Sequence, residues 1–402
     1  MRESILTTFE NMAAYGTAPE NRVIQFTAGS EELFARLDQI YLKERFSRGE
    51  SDQKFVVGPF GSGKTHFINH LMELARERDC VTSKVTLNKE IDFTKTLVVY
   101  QEVIRNLTTN NETYGLKELL LQIKERKEKD STNALEDLFF QWINGLDKYQ
   151  FKLNEYGKLM KRAFLAIYGE NEIELEPILR WLSGEIGNKH LARDLGLSPI
   201  SGNEQNRYAQ RMLHSLFQFI KHAGFQGTVV TFDEAEQGFQ VERKKVARIH
   251  SLLMSQLNSL VELRNGAVFI VYALTPDMIE KMENFAALQQ RLADPGPGMG
   301  FFDGNTYAPV IDLAKRGDPI QDLKSIASKL TGVFLSYFSQ EIIVSQEEIN
   351  RKIVDIVTET IESEYSSSNR RELVKRTCTY LLSLLPGKKE ILATRATVED
   401  EV

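Results

Sequence analysis

Long apolar runs are missing from this sequence. The longest, Ala267 to Leu274, is far short of the roughly 20 residues that a membrane-spanning helix needs, so no membrane partner is expected. Cysteine is scarce. Cys80 and Cys378 stand about 300 residues apart and neither has a CxxC partner, which argues against a structural disulfide or a thiolate metal site. An excess of positive charge is absent as well. Fifty Lys and Arg face 56 Asp and Glu, a formal net charge of −6, so bulk charge gives no support for nonspecific binding to nucleic acid or membrane. A local basic surface is compatible with that sum. The six histidines lack HExxH or other ligand spacing; His66 and His70, four apart, ride a single helix and argue weakly for zinc. The opening MRESILTTFENMAAYG lacks a basic stretch followed by an apolar one, so no secretory signal is expected. These absences lead us to expect a cytoplasmic protein with reduced thiols.

What is present is ordinary globular material. The chain has 402 residues, 42% hydrophobic and 26% charged, enough for two or three domains with a large core. Residues 1–50 read as a helix, a short extended piece near Val23–Phe26, and a second helix from about Glu31. Lys54 to Val57 is a short apolar run that enters a glycine-rich turn, and Lys64 to Arg78 has helical spacing. Val81 to Leu87 reads as a strand and Thr94–Leu107 as a helix. Residues from about 110 to 200 form a helical insert with no fixed-period repeat. A helix over Asn203–Ala223 precedes the apolar, β-branched run Gly227 to Phe232. A helix over Arg243–Leu263, a strand over Ala267–Tyr272 and a last strand over Tyr307–Leu313 follow. Apolar strands alternating with helices predict an α/β fold with a parallel sheet covered on both faces. Residues 316–386 read as a C-terminal helical lobe and 387–402 as a tail, which leaves 51–315 as the core.

Gly58-Pro59-Phe60-Gly61-Ser62-Gly63-Lys64-Thr65 matches G-x-x-x-x-G-K-[ST]. Glycines admit positive φ and let the backbone approach phosphate oxygens closely. Successive N–H groups then form an anion nest, with the positive end of the following helix aimed at it. Lys64 offers a point charge to the β- and γ-phosphates, and Thr65 offers a hydroxyl to Mg²⁺. The context, strand before and helix after, is the one this chemistry needs. Binding of ATP with Mg²⁺ is the expectation.

The run Val229-Val230-Thr231-Phe232-Asp233-Glu234 supplies the second half of such a site. Its hydrophobic residues are expected to lay the strand beside the loop strand, with its carboxyl end delivering a carboxylate to the metal. Asp233 suits the Mg²⁺ shell through water, and Glu234 suits orienting and deprotonating the attacking water, with Glu236 as the competitor. The acidic pair favours hydrolysis over transfer to a second substrate. Thr275, after the Ala267–Tyr272 strand, is a candidate polar sensor near the γ-phosphate. It stands before Pro276 and suits a helix N-cap equally.

Several blocks together resemble the BrxD-like ATP-binding proteins of bacterial phage-exclusion (BREX) systems. They are Phe26-Thr27-Ala28-Gly29-Ser30-Glu31-Glu32, the glycine loop continued through His66-Phe67, and Asp233-Glu234-Ala235-Glu236. Arg180-Trp181-Leu182-Ser183-Gly184-Glu185, Ala287-Leu288-Gln289-Gln290-Arg291-Leu292 and Arg371-Glu372-Leu373-Val374 complete the set. The resemblance spans about residues 15–385; the loop alone identifies only the superfamily. It implies an AAA+ ATPase of the initiator or helicase-loader type, with an αβα P-loop core and a C-terminal helical lid. It implies an arginine finger at Arg291, reaching a neighbouring subunit's γ-phosphate, and a second sensor on the lid at Arg371. The family usually carries Pro before that arginine, where this chain has Arg370, so the register lies open between Arg370 and Arg371. It places Val23 and Ile24 beside the adenine, with His66 completing the loop contacts. About 170 residues separate Thr65 from Asp233, more than a minimal AAA+ core holds, so the insert is read as a family feature.

A finger acting in trans implies a homo-oligomer. The resemblance implies a partner that is a helicase, another defence-system protein or DNA. An assembly switch that recruits an effector, and a loader acting in replication or transposition, are the rival readings. Arg243-Lys244-Lys245 with Arg248, and Lys158, Lys161 and Arg162, are the candidate DNA-phosphate contacts. The run Lys124 to Lys129 alternates in sign and reads as a solvated, salt-bridged helix.

Overall fold

The computed structural model describes residues 1–17, 19–88, 91–92, 94–110, 113–129, 135–202, 204–234, 259–260, 262–278, 300–315, 317–362 and 369–386. Six strands form one sheet: β1 (Asp52–Val57), β2 (Val81–Thr86), β3 (Leu107–Thr108), β4 (Thr228–Asp233), β5 (Val268–Leu274) and β6 (Val310–Asp312). Their order is β3-β2-β4-β5-β1-β6. All neighbours are parallel except β2 and β3.

The central strands are apolar on both faces, as a parallel sheet between helices requires. Every residue of β4 and β5 is buried. Alternation then sorts side chains by face. One core joins Phe55, Val85, Phe232 and Tyr272 of the sheet to Tyr100, Leu120, Phe164 and Phe217 of the helices. The opposite core joins Val56, Val229, Phe269 and Val271 to Phe34, Tyr41, Phe67 and Leu71. Across the first face Phe55, Tyr272 and Phe232 stack with centroids 5.4 and 4.9 Å apart.

Helix α4 (Lys64–Glu77) follows β1 and lies in the second core with α3 (Glu31–Leu37) and the π-helical stretch Asp38–Arg45. Helices α5 (Thr96–Arg105), α6 (Leu116–Lys129), α7 (Leu135–Gly145), α8 (Asn154–Tyr168), α9 (Glu172–Leu182), α10 (Lys189–Leu195) and α11 (Glu204–His222) make up the other side. The insert expected over 110–200 is helical and shares its core with the sheet. Backbone N–H groups of Lys152 and Leu153 donate to Gln218 and Ser215 of α11 at 2.8 and 2.9 Å.

A third core stands apart from the sheet. It joins α12 (Pro319–Phe338), α13 (Gln346–Glu362) and α14 (Asn369–Ser383). Ile5, Phe9 and Met12 of the N-terminal helix α1 (Arg2–Tyr15) belong to it, with Phe26. Helix α1 ends on Gly16, at φ 61°. A Cβ there would fall 2.5 Å from Cγ of Arg371, so glycine is what lets α1 close on α14.

Three expectations change. Val23–Phe26 is a helical turn, α2, and not extended. The Glu73 carboxylate accepts the Val23 N–H at 2.6 Å, so a side chain 50 residues away caps the turn. The acidic strand β4 does not pair with the loop strand β1; β5, which ends just before Thr275, runs between them. The last strand is Val310–Asp312, shorter than the expected Tyr307–Leu313. Arg291, Glu236, Arg243, Lys244, Lys245, Arg248 and residues 387–402 lie outside the described residues.

Candidate functional site

The loop after β1 turns sharply before α4. Gly63 holds φ 94° at the helix start, a conformation that L side chains resist. Lys64, 8% exposed, donates from Nζ to the carbonyls of Gly58 and Pro59 at 2.8 and 3.2 Å. Its ammonium also sits 5.3 Å from the centre of the Phe60 ring. Thr65 is exposed in the first turn of α4. The Ser62 hydroxyl is buried without a hydrogen-bond partner among the described residues, an unmet donor that an anion in the loop would satisfy.

Asp233 ends β4 at 4% exposure. One carboxylate oxygen accepts the N–H of Glu234 at 3.0 Å, and the other lies 3.8 Å from Nζ of Lys84. Glu234 is exposed at φ 52°. A non-glycine residue there is strained, and the turn carries its side chain out of the sheet.

A cavity of about 420 Å³ brings these halves together. Phe60, Gly61, Ser62, Gly63, Lys64, Thr65 and His66 line it, as do Asp233 and Glu234. Arg370 and Arg371 line it from α14. Met12, Phe26, Ile326, Leu330 and Val374 give it an apolar wall, in a size range typical of small-molecule sites. Val23 and Ile24 are not on that wall; Val23 is fully buried with its N–H on Glu73. The apolar surface comes from α1, Phe26 and the C-terminal helices, a pairing that no local pattern announces. Gly58 and Pro59 are not on the cavity wall either; their carbonyls accept from Lys64. Thr275 is buried at the end of β5, off the cavity wall, and its carbonyl accepts the N–H of Met278 at 3.1 Å.

The two arginines differ. Arg370 donates to Asp322 of α12 at 2.7 Å and to the Ser62 carbonyl of the loop. It thus ties two C-terminal helices to the glycine loop. Arg371 is exposed and packs over Gly16.

Sequence reasoning missed a hub behind the loop. The buried Thr27 hydroxyl donates to the Val23 carbonyl at 2.9 Å. Its one proton is then used, so His66 Nε2 and His70 Nδ1, at 2.9 and 2.7 Å, act as donors to it. Those two nitrogens join the Phe26–Glu32 block to the first turns of α4. The ring of His70 stacks on Phe34 at 3.5 Å.

Of the basic residues on α8, Lys161 pairs with Asp147 at 3.1 Å and Arg162 with Glu174 at 3.7 Å. In the Lys124–Lys129 run, Lys124 pairs with Glu128 at 3.7 Å, while Arg126 binds Asp79 through both nitrogens. Among the described residues no helix is long and apolar enough to cross a membrane.

Fold and site together define a mixed α/β protein whose glycine-rich loop opens at the carboxyl ends of a mostly parallel sheet. The chain belongs to the family described as BREX system ATP-binding protein BrxC/D, whose profile matches residues 5–395. It is an ATP-binding protein of an anti-phage defence system. No curated protein and no solved structure matches it.

Proposed function

We propose that the chain is an AAA+ ATPase that hydrolyses ATP in the cavity between the glycine loop, β4 and α14. The observation that carries this reading is that Lys64, Thr65, Asp233, Glu234 and the two arginines meet in one cavity. Residues 51–315 form the ATPase core with its insert, and 316–386 the lid. Loop amides and Lys64 bind the phosphates. Lys64 exchanges the Gly58 and Pro59 carbonyls for phosphate oxygens. The apolar wall of Met12, Phe26, Ile326 and Leu330 takes the base. Glu234 accepts the proton of the attacking water.

The donor set fits Mg²⁺. A hydroxyl on Thr65 and a buried carboxylate on Asp233 are hard oxygen ligands. When bound, Mg²⁺ supplies charge neutralisation between the phosphate oxygens. Thr275 acts as the sensor between loop and carboxylates, a reading supported by its place at the end of the intervening strand. The lid arginine reports nucleotide to the lid. Arg370 is the better placed of the pair, since it already reaches the Ser62 carbonyl.

Arg291 acts as a finger in trans, and hydrolysis in a homo-oligomer remodels or loads a partner of the same defence system, protein or DNA. Lys64→Ala tests the site. It is expected to lower ATP affinity by at least about 100-fold, because a phosphate group in a poorly solvated cradle loses its main cation. Wild-type affinity in an equilibrium titration overturns the assignment.

A further inference from the structure

Lys84 belongs to neither motif. It lies near the carboxyl end of β2 and lines the cavity. Its Nζ donates to Asn69 Oδ1 at 2.7 Å and stands 3.8 Å from Asp233 Oδ2. Asn69 is buried on α4, and its own Nδ2 donates to the carbonyl of Pro19 at 2.9 Å. The short bond is the one to Asn69, so the helix that follows the glycine loop sets where the ammonium sits. Asp233 is held from the other side by the Glu234 N–H at 3.0 Å. The Lys84 side chain is 29% exposed and that of Asp233 5%, so solvent screens the pair poorly.

We propose that Lys84 is a positioning residue that keeps the Asp233 carboxylate from taking a divalent cation until a nucleotide is bound. The proposal rests on the metal reading of Asp233. A cation fixed beside the carboxylate offsets its charge and repels an incoming dication. The phosphates of a nucleotide restore the balance, so the dication enters with the nucleotide and not before it. The anchor on Asn69 matters, because an ammonium free to swing away would not act in this manner.

The test uses the full chain and Mn²⁺ as the probe, read by electron paramagnetic resonance with and without ADP. Lys84→Met and Lys84→Gln remove the charge; Gln keeps a donor for Asn69 and guards against a packing effect. Without ADP, both are expected to bind Mn²⁺ roughly three- to thirty-fold more tightly than wild type, and Lys84→Arg is expected to match wild type. Adding Asp233→Asn to Lys84→Met is expected to abolish the gain. Equal Mn²⁺ affinity in Lys84→Met, Lys84→Gln and wild type overturns the proposal while leaving the metal role of Asp233 intact. A gain that survives Asp233→Asn overturns it too, by locating the effect elsewhere. If Asp233→Asn alone leaves Mn²⁺ affinity with ADP unchanged, the metal reading of Asp233 fails and the proposal falls with it.

Discussion

Lys54 sits on the loop strand with its side chain buried, donating from Nζ to the Tyr307 carbonyl at 3.0 Å and lying 5.0 Å from the Tyr41 ring centre. Burial lowers its pKa to about 8 from the ordinary 10.5; Asp52 opposes that shift and Arg45 adds to it. Between those values the unfolded chain binds more protons than the folded one, so this group's contribution to stability rises with pH from about 8 to 10.5. Below pH 8 both states are charged and the contribution is flat. Relative to Lys54→Met, wild type is therefore expected to gain about 3 kcal/mol between neutral pH and the top of that window. Urea unfolding at several pH values checks this; a difference independent of pH contradicts it. At this scale the meeting of Lys64, Thr65, Asp233 and Glu234 in one cavity was legible, because each half lies in a run of adjacent residues. Lys84, Asn69 and Thr27 were not, since each acts through a partner distant in sequence. One signal was available for Lys84: a charged residue near the carboxyl end of an apolar strand points toward the ligand side of a parallel sheet.

Among elements, apolar runs identified β1, β2, β4 and β5, and the β4–β5 alternation sorts their side chains between two cores. Pairing order was harder to read. Nothing local in Thr228–Asp233 says that β5 separates it from β1, because pairing is decided by crossover connections. The turn α2 was misread because its cap, Glu73, lies on another helix. Helix α1 was read as a helix, yet its place in the C-terminal core was not, since a hydrophobic face does not name its partner. That placement has a consequence. Phe9 is fully buried, edge-on to Phe26 and Phe334 with centroids 5.8 and 5.0 Å apart. Phe9→Ala is expected to cost about 3–5 kcal/mol, with hydrogen-exchange protection falling in α12 and α14 more than in β4 and β5. Uniform loss across both cores, or none, contradicts a core shared by α1 and the C-terminal helices.

Over the whole molecule, composition pointed to a globular chain without a membrane-spanning helix, and the motif blocks pointed to the BREX ATP-binding family that the profile match bears out. A homo-oligomer enters only as an implication of Arg291. Arg291→Ala is expected to lower turnover by roughly 10³-fold or more where a finger is essential, and to leave ATP binding by single subunits intact. Mixing it with Glu234→Gln subunits, each inactive alone, is expected to restore activity at interfaces where an intact Arg291 meets an intact Glu234. Mixed assemblies that form and stay inactive contradict a finger in trans. The central claim, that this cavity hydrolyses ATP with Glu234 as base, is tested most directly by Glu234→Gln. Its ATP affinity and its turnover are measured side by side on the full chain. Affinity is expected to stay within about threefold of wild type and turnover to fall at least about 100-fold. Turnover near the wild-type rate would contradict that claim.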